Sequence, residues 1–240
     1  MRITAVIPCY NEGKYIADVV RETRKYVDRV IVIDNMSTDR TAEIVGDMFD
    51  PMIDCWICYK KGAGAATRLG IAYALNPKPA VYADIIVTLD GDGQHDPAEI
   101  PSLVKPIQDN RASLVIGSRF MKEYKIEKYR KLGIDIITFL YNFGSIREVT
   151  DAQSCFRAFT RDVAKKVNIE EAGFGYSTEF LIKARAMCFR IEEVPISCIY
   201  HEEFKENSTL NPIKHGFNVA MKTIKWRLKE ELTGSLVKDM

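Results

Sequence analysis

Two aspartates two positions apart, Asp90 and Asp92, lie in an Asp-Gly-Asp-Gly-Gln stretch that closes at Gln94. In extended backbone, residues i and i+2 point the same way, so both carboxylates can aim at one point and the Gln94 carbonyl continues the row. That makes an all-oxygen half-shell. It suits Mg2+ or Mn2+, hard cations that keep positions for water and for the oxygens of a diphosphate. Gly91 and Gly93 carry no Cβ, so the chain can turn sharply and a bulky anion can come close. Taken alone, the same residues read equally well as a solvated turn, because Asp and Gly are favoured in turns.

Whether the pair converges depends on the elements that hold it. The apolar, β-branched run 85–87 predicts a buried strand that stops at Asp90. Upstream, strands are predicted over 3–8 and 29–34, with a weaker one over 56–59, and helices over 14–26 and 65–75. A short helix carrying Ala42, Ile44 and Val45 follows the second strand. Strand, loop and helix recur four times in the first hundred residues. The expected fold class is therefore α/β, with a central, mostly parallel sheet flanked by helices. Ligands of such sheets bind beyond the carboxyl ends of the strands. Tyr10, Asn11 and Glu12 follow the first strand, Asp34 ends the second, and Asp90 with Asp92 follows the fourth.

Beyond the acidic turn a helix is expected over 97–108, then a strand over 113–117 ending in Ser118-Arg119. A basic run (Lys122, Lys125, Lys128, Arg130, Lys131) precedes an apolar helix over 134–143, a polar stretch holds Asp151, and a helix over 180–188 leads to a strand over 190–199. Residues 1–205 read as the main domain and 206–240 as an amphipathic helical extension. In its helix, over 213–232, Ile213, Phe217, Ala220, Met221, Ile224, Leu228 and Leu232 recur at three- and four-residue steps. Such a face can lie on a bilayer or pack on the domain.

The net charge of +1, from 34 basic and 33 acidic residues, creates no global field for nucleic acid. Of the six cysteines, Cys55 and Cys58 form a single pair without the second pair or histidine spacing of a zinc site. A reduced, cytosolic setting is the simpler reading. Met1-Arg2 leads straight into an apolar strand, so no signal peptide is expected, and the apolar runs fall short of the ~20 residues needed to cross a bilayer.

From about residue 3 to 200 the chain resembles the family-2 glycosyltransferases, and most of all the polyprenyl-phosphate (dolichyl-phosphate) sugar synthases. The resemblance rests on an ordered set of motifs: Val6-Ile7-Pro8-Cys9-Tyr10-Asn11-Glu12; Val32-Ile33-Asp34-Asn35 with Ser37-Thr38-Asp39; Gly62 to Gly70 with Arg68; Asp90 to Pro97; Gly117-Ser118-Arg119; Asp151 with Ser154-Cys155-Phe156-Arg157; and Glu193-Val194-Pro195-Ile196. It implies a nucleotide-diphospho-sugar transferase fold of the GT-A type. The implied activity is inverting transfer of a hexose (mannose, glucose or N-acetylglucosamine) from a GDP- or UDP-sugar to a dolichyl or polyprenyl phosphate. A soluble family-2 enzyme acting on a glycan or small hydroxyl is the alternative.

The resemblance also implies roles. Pro8, Tyr10 and Glu12 line the nucleotide end, with the tyrosine ring against the base, and Asp34 accepts hydrogen bonds from that base. Gly62 and Arg68 border ribose and diphosphate, although the Gly-Lys-Ser/Thr ending of a hydrolase phosphate loop is missing. Asp90, Asp92 and Gln94 hold Mg2+ or Mn2+, which neutralises the leaving diphosphate. Arg119 matches a phosphate-binding position, with Arg130 a candidate second. Asp151 matches an acceptor-side acid, the candidate base if the acceptor is a hydroxyl. A phosphate monoester, with its second pKa of ~6, needs no strong base.

Three departures stand out. The usual aspartate pair is Asp34-Asn35, the usual glycine after serine is Cys155, and the basic segment after the last strand is replaced by residues 200–210. His201 is a possible substitute there, but three histidines without metal spacing read individually as solvated. The implied enzyme is peripheral on the cytoplasmic face of a membrane, touching it through 125–143 or the C-terminal helix; no oligomeric state is implied.

Overall fold

The computed structural model describes residues 1–76, 83–122, 128–145, 148–199 and 212–232. Its centre is a seven-stranded sheet, ordered β3-β2-β1-β4-β6-β5-β7. The strands are β1 (Ile3–Cys9), β2 (Arg29–Asp34), β3 (Ile53–Ile57), β4 (Ile85–Thr88), β5 (Leu114–Ser118), β6 (Arg157–Thr160) and β7 (Ile191–Pro195). β1 pairs in parallel with both β2 and β4, in a register that sets Cys9 beside Asp34 and Val6 beside Thr88. β2, β4 and β5 are buried along their whole length. That is why they read as unbroken apolar runs: a strand covered on both faces has no solvent side to alternate with.

Helices cover both faces. On one, α1 (Ile16–Arg24) and α4 (Ile100–Gln108) pack Ile16, Val20, Leu103 and Val104 against Ile7, Val32 and Val87. On the other, α3 (Ala63–Leu75), α6 (Arg161–Lys166) and α7 (Tyr176–Ala186) pack against Val6, Ile33, Ile86 and Leu114. α3 lies so close to the sheet that a Cβ at Gly70 would come within 2.2 Å of Val6 Cγ1. The short α2 (Thr41–Gly46) follows β2, and α5 (Lys128–Asn142) and α8 (Pro212–Leu232) complete the chain.

Several elements differ from expectation. β3 starts at Ile53 because residues 53–57 are the ones in register with 30–34 of β2; past them, the Cys58 N–H still donates to Asp34 O. β6, unexpected from sequence, is antiparallel between β4 and β5. It is only four residues long and opens on a cation, so no apolar period announces it. Arg157 is nonetheless 2% exposed, donating to Ser177 O and Ala152 O.

α8 packs against α5 and α7. Val219, Thr223 and Trp226 are its buried face, and Thr223 shares a 2.8 Å hydroxyl contact with Thr178. Lys183, Lys225 and Lys229 surround the Trp226 ring with Nζ at 4.3, 5.1 and 4.4 Å from its centroid. Their charge is balanced by Glu170, Glu171 and Glu179. The Lys183 hydrogen bond holds the Glu170 carboxyl below its ordinary value. Burial works to raise Glu171, but hydrogen bonds from Lys222 and Lys225 outweigh it and leave that carboxyl lowered too. A carboxylate depressed in the folded state contributes stability above its unfolded pKa, about 4.3 for glutamate, and loses it as pH falls through the folded value. In a Trp56→Phe background, Trp226 emission should therefore shift to the red as the pH is lowered through that range, and Glu171→Gln should flatten the transition.

Candidate active site

The chain leaves the sheet after β4, where Leu89 is still buried and Asp90 is half-buried. The turn is tightly built. Asp92 Oδ1 accepts from Gln94 N at 3.0 Å, and Gly93 takes φ +75°, which a side chain would resist. Asp90 N donates to His95 Nδ1 at 3.2 Å, and the His95 ring is buried 5.1 Å from that of Phe156. Burial pushes the imidazole down to about 3, the Arg119 charge adding to the effect and Asp151 opposing it. His95 is thus a neutral brace whose acceptor nitrogen fixes the backbone of Asp90; the nearby carboxylate oxygen, 3.9 Å away, is no ion-pair partner. Reading the histidines as solvated missed this, though the position of His95 directly after the acidic turn was the available signal.

Charge at the turn is unbalanced. Burial, then Asp92, Asp90 and Asp39, push the Glu12 carboxyl up to about 8. Asp90 is raised as well, by burial and by Asp92, against the pull of Arg119 and Arg157. Carboxylates crowded in one poorly hydrated corner favour a compensating cation beside them. Their oxygens fit a hard divalent ion such as Mg2+ or Mn2+. Among the described residues no group of three His, Cys, Asp or Glu side chains is arranged to hold a metal, so the protein's share would be Asp90 and Asp92 with an amide or ligand oxygen. Gln94 Oε1 lies 3.9 Å from Cys198 Sγ, and Gln94 O accepts from Ile199 N, which ties the turn to the chain beyond β7.

At the β1 and β2 ends, two loops lock together. Asn11, at φ +59°, accepts from Thr38 N while its own N–H donates to Ser37 Oγ; Glu12 N donates to Thr41 Oγ1 and Gly13 N to Asp39 Oδ2. Burial works to raise Asp39, but donors from Thr41 and Gly13 hold it below the ordinary carboxylate value. Pro8 is half-buried within β1 and Tyr10 is 47% exposed at its rim. Asp34 is 3% exposed and both its oxygens accept from Ser37, so it shapes the loop from inside.

Asn35, noted from sequence only as a departure, has a clear task. Its amide donates to Cys58 O and Lys60 O at 3.0 and 2.8 Å and accepts from Gly62 N at 2.7 Å. Only an amide can do both, and an aspartate would face two carbonyls with no proton to offer. Gly62 itself sits at φ +120°, where a Cβ would meet Ala172 O at 2.2 Å. Arg68, on the exposed side of α3, donates through Nη1 to Ile169 O at 3.2 Å.

On the other flank, Arg119 and Asp151 form a two-pronged pair, Nε to Oδ2 at 2.7 Å and Nη2 to Oδ1 at 2.9 Å. Asp151 is fully buried, and it also accepts from the N–H groups of Arg119, Gln153 and Ser154. Its loop is held from β7 by Glu193, which accepts from Thr150 N and Asp151 N, and from α5 by Thr138 and Asn142. The acceptor-side acid expected to serve a hydroxyl acceptor as base is thus placed to orient Arg119, with both oxygens engaged. The side chain of Arg130 and all of 200–211, His201 included, lie outside the described residues.

A mostly parallel, helix-covered sheet whose strand ends carry an acidic turn, a glycine loop and a locked arginine fits the GT-A fold of glycosyltransferases. Residues 4–167 match glycosyl transferase family 2, and the chain belongs to that family. It is 35% identical over 226 residues to the UDP-N-acetylglucosamine–dolichyl-phosphate N-acetylglucosaminyltransferase of Methanococcus voltae, spanning 83% of this chain and 86% of that one. With the undecaprenyl-phosphate mannosyltransferase of Micrococcus luteus it shares 28% identity over 214 residues, 84% of this chain and 85% of the other. Its fold is similar to that of glucosyl-3-phosphoglycerate synthase from Mycobacterium tuberculosis, solved with Mn2+, UDP and phosphoglyceric acid: TM-score 0.71, 19% identity, 95% of this chain and 78% of that one.

Proposed function

We propose that this glycosyltransferase moves a hexosyl group from a nucleotide-diphosphate sugar to the phosphate of a dolichyl or polyprenyl lipid, inverting the anomeric centre. The Arg119–Asp151 pair carries the reading. A hydroxyl acceptor needs a base, and the acid at the acceptor side is buried with both oxygens occupied. A phosphate monoester, already ionised with a second pKa of ~6, needs a positioned cation instead, and a guanidinium held in a fixed plane is one. The lipid-phosphate acceptors in the names of the Methanococcus and Micrococcus relatives support the same choice.

In this reading Pro8, Tyr10 and Glu12 form the nucleotide end, with Asp34 bracing the loop behind them through Ser37, Gly62 and Arg68 flank the diphosphate, and Asp90, Asp92 and Gln94 lie at its metal-binding side. A bound Mg2+ or Mn2+ would supply charge neutralisation for the departing nucleoside diphosphate. Arg119 orients the lipid phosphate for in-line attack, so an α-linked donor gives a β-linked product. The test is incubation of the protein with dolichyl phosphate, Mn2+ and labelled UDP-N-acetylglucosamine, UDP-glucose or GDP-mannose. Label should enter the organic phase with one of them, whereas efficient transfer to a water-soluble sugar without lipid would overturn the reading.

The lipid must be met at its membrane. Among the described residues no helix is long and apolar enough to cross one. α5 and the turn residue after it instead point Leu132, Ile136, Phe139 and Phe143 outward, 59%, 48%, 63% and 65% exposed, while Thr138 and Asn142 hold the Asp151 loop. We place this face, with Phe217, Met221 and Leu228 of α8, on the bilayer. Phe139→Asp with Phe143→Asp should abolish co-sedimentation with anionic liposomes while leaving nucleotide binding intact.

A further inference from the structure

The donor loop is walled by a segment that none of the motifs includes, residues 169–173. Ile169 O accepts from Arg68, Ala172 O accepts from Ala65 N at 3.0 Å in the first turn of α3, and the carbonyls of Glu171 and Ala172 pack so closely on Gly64 and Gly62 that a Cβ at either would approach to 2.2 Å. Every feature expected to border ribose and diphosphate therefore leans on this wall.

The wall is fastened from two sides. From within, the buried Glu179 accepts from Glu170 N and Glu171 N, each at 2.8 Å. From without, the Glu171 side chain reaches α8, where Lys222 lies 2.9 Å from Oε2 and where Lys225 Nζ and Trp226 Nε1 donate to Oε1 at 3.1 and 3.2 Å. Lys222 also packs on Gly175, with room for no Cβ there. Glu179 pins the chain only as far as residue 171. The next hold is at Gly173, whose carbonyl accepts from Tyr176 N at 3.2 Å, so the carbonyl of Ala172 lies between that hold and the Glu171 anchor.

We propose that Glu171 is a positioning residue for the nucleotide sugar, through which the docking of α8 fixes the loop at Gly62 and the guanidinium of Arg68. This rests on the reading of those two residues as donor-site groups. It gives α8, which holds no expected ligand contact, a part in donor affinity, and makes that affinity depend on a helix that also turns apolar side chains toward the proposed membrane face.

The test measures binding of UDP and GDP with Mn2+ by calorimetry, alongside steady-state kinetics. Glu171→Ala should raise the Kd of the preferred nucleotide, and KM for its sugar, about tenfold, with kcat and lipid KM changed by less than about twofold. Lys222→Ala with Lys225→Ala should do the same from the α8 side, and Glu171→Gln, which keeps an acceptor oxygen, should recover part of the loss. Glu170→Ala is the comparison: it breaks the bond to Lys183 and the longer 3.6 Å contact to Lys229 of α8 but leaves every Glu171 contact in place. Unchanged nucleotide affinity in Glu171→Ala, with a melting temperature lowered as in Glu170→Ala, would reduce Glu171 to a structural role and overturn the proposal. Weakening by Glu171→Ala but not by the lysine pair would remove α8 from it. If the native protein binds neither nucleotide, the donor-site reading itself fails and takes this inference with it.

Discussion

Asp92→Ala should lower hexosyl transfer about a thousandfold, equivalent to about 4 kcal/mol of transition-state stabilisation, while the melting temperature moves by only a few degrees. The asymmetry follows from the position of the residue. Asp92 is half-buried at the rim, past the end of β4, where it accepts from Gln94 N, so no strand pairs through it. What does depend on it is the concentration of negative charge at the strand end, which burial and Glu12 make costly without a cation. In the proposed site, a bound cation would lose a ligand without Asp92, and the diphosphate would have to leave with its charge less compensated. Mn2+ titration followed by electron paramagnetic resonance should show weaker binding in the variant. Native rates in Asp92→Ala, or unaltered Mn2+ binding, would sink the assignment.

The second large effect is expected at the buried ion pair, where two substitutions separate orientation from proton transfer. Arg119→Ala should cut kcat/KM for the lipid phosphate about a hundredfold, the worth of a charge-assisted contact of 1.5–3 kcal/mol. It should also destabilise the fold by about 3–5 kcal/mol, because Asp151 is left buried without its partner. Asp151→Asn keeps shape and loses the charge that holds the guanidinium plane. It should raise KM for the acceptor far more than it lowers kcat, and leave KM for the nucleotide sugar unchanged. A base would behave otherwise. If Asp151→Asn instead removed kcat and abolished an alkaline rise in rate, Asp151 would be taking a proton, and the lipid-phosphate reading would lose its structural support.

Much of this enzyme could be read without coordinates, for a physical reason. Strands buried on both faces must be apolar throughout, so β1, β2, β4 and β5 were visible as runs, and chain geometry requires polar residues where those runs stop. The acidic turn, Tyr10, Glu12 and Arg119 were found in this way. β6 was not, because a four-residue strand beginning with a buried arginine has no period to detect.

The chain's order thus determined the α/β class, the family and the rim on which the chemistry collects, since each depends on local pattern or on ordered motifs. Tertiary structure alone decided what each polar side chain spends its hydrogen bonds on. It gave Asp151 to Arg119, Asn35 to the glycine loop, His95 to the backbone of Asp90 and Glu171 to α8. Those partners lie up to 55 residues apart in the chain, and hydrogen bonding acts over about 3 Å of space, whatever the separation in sequence.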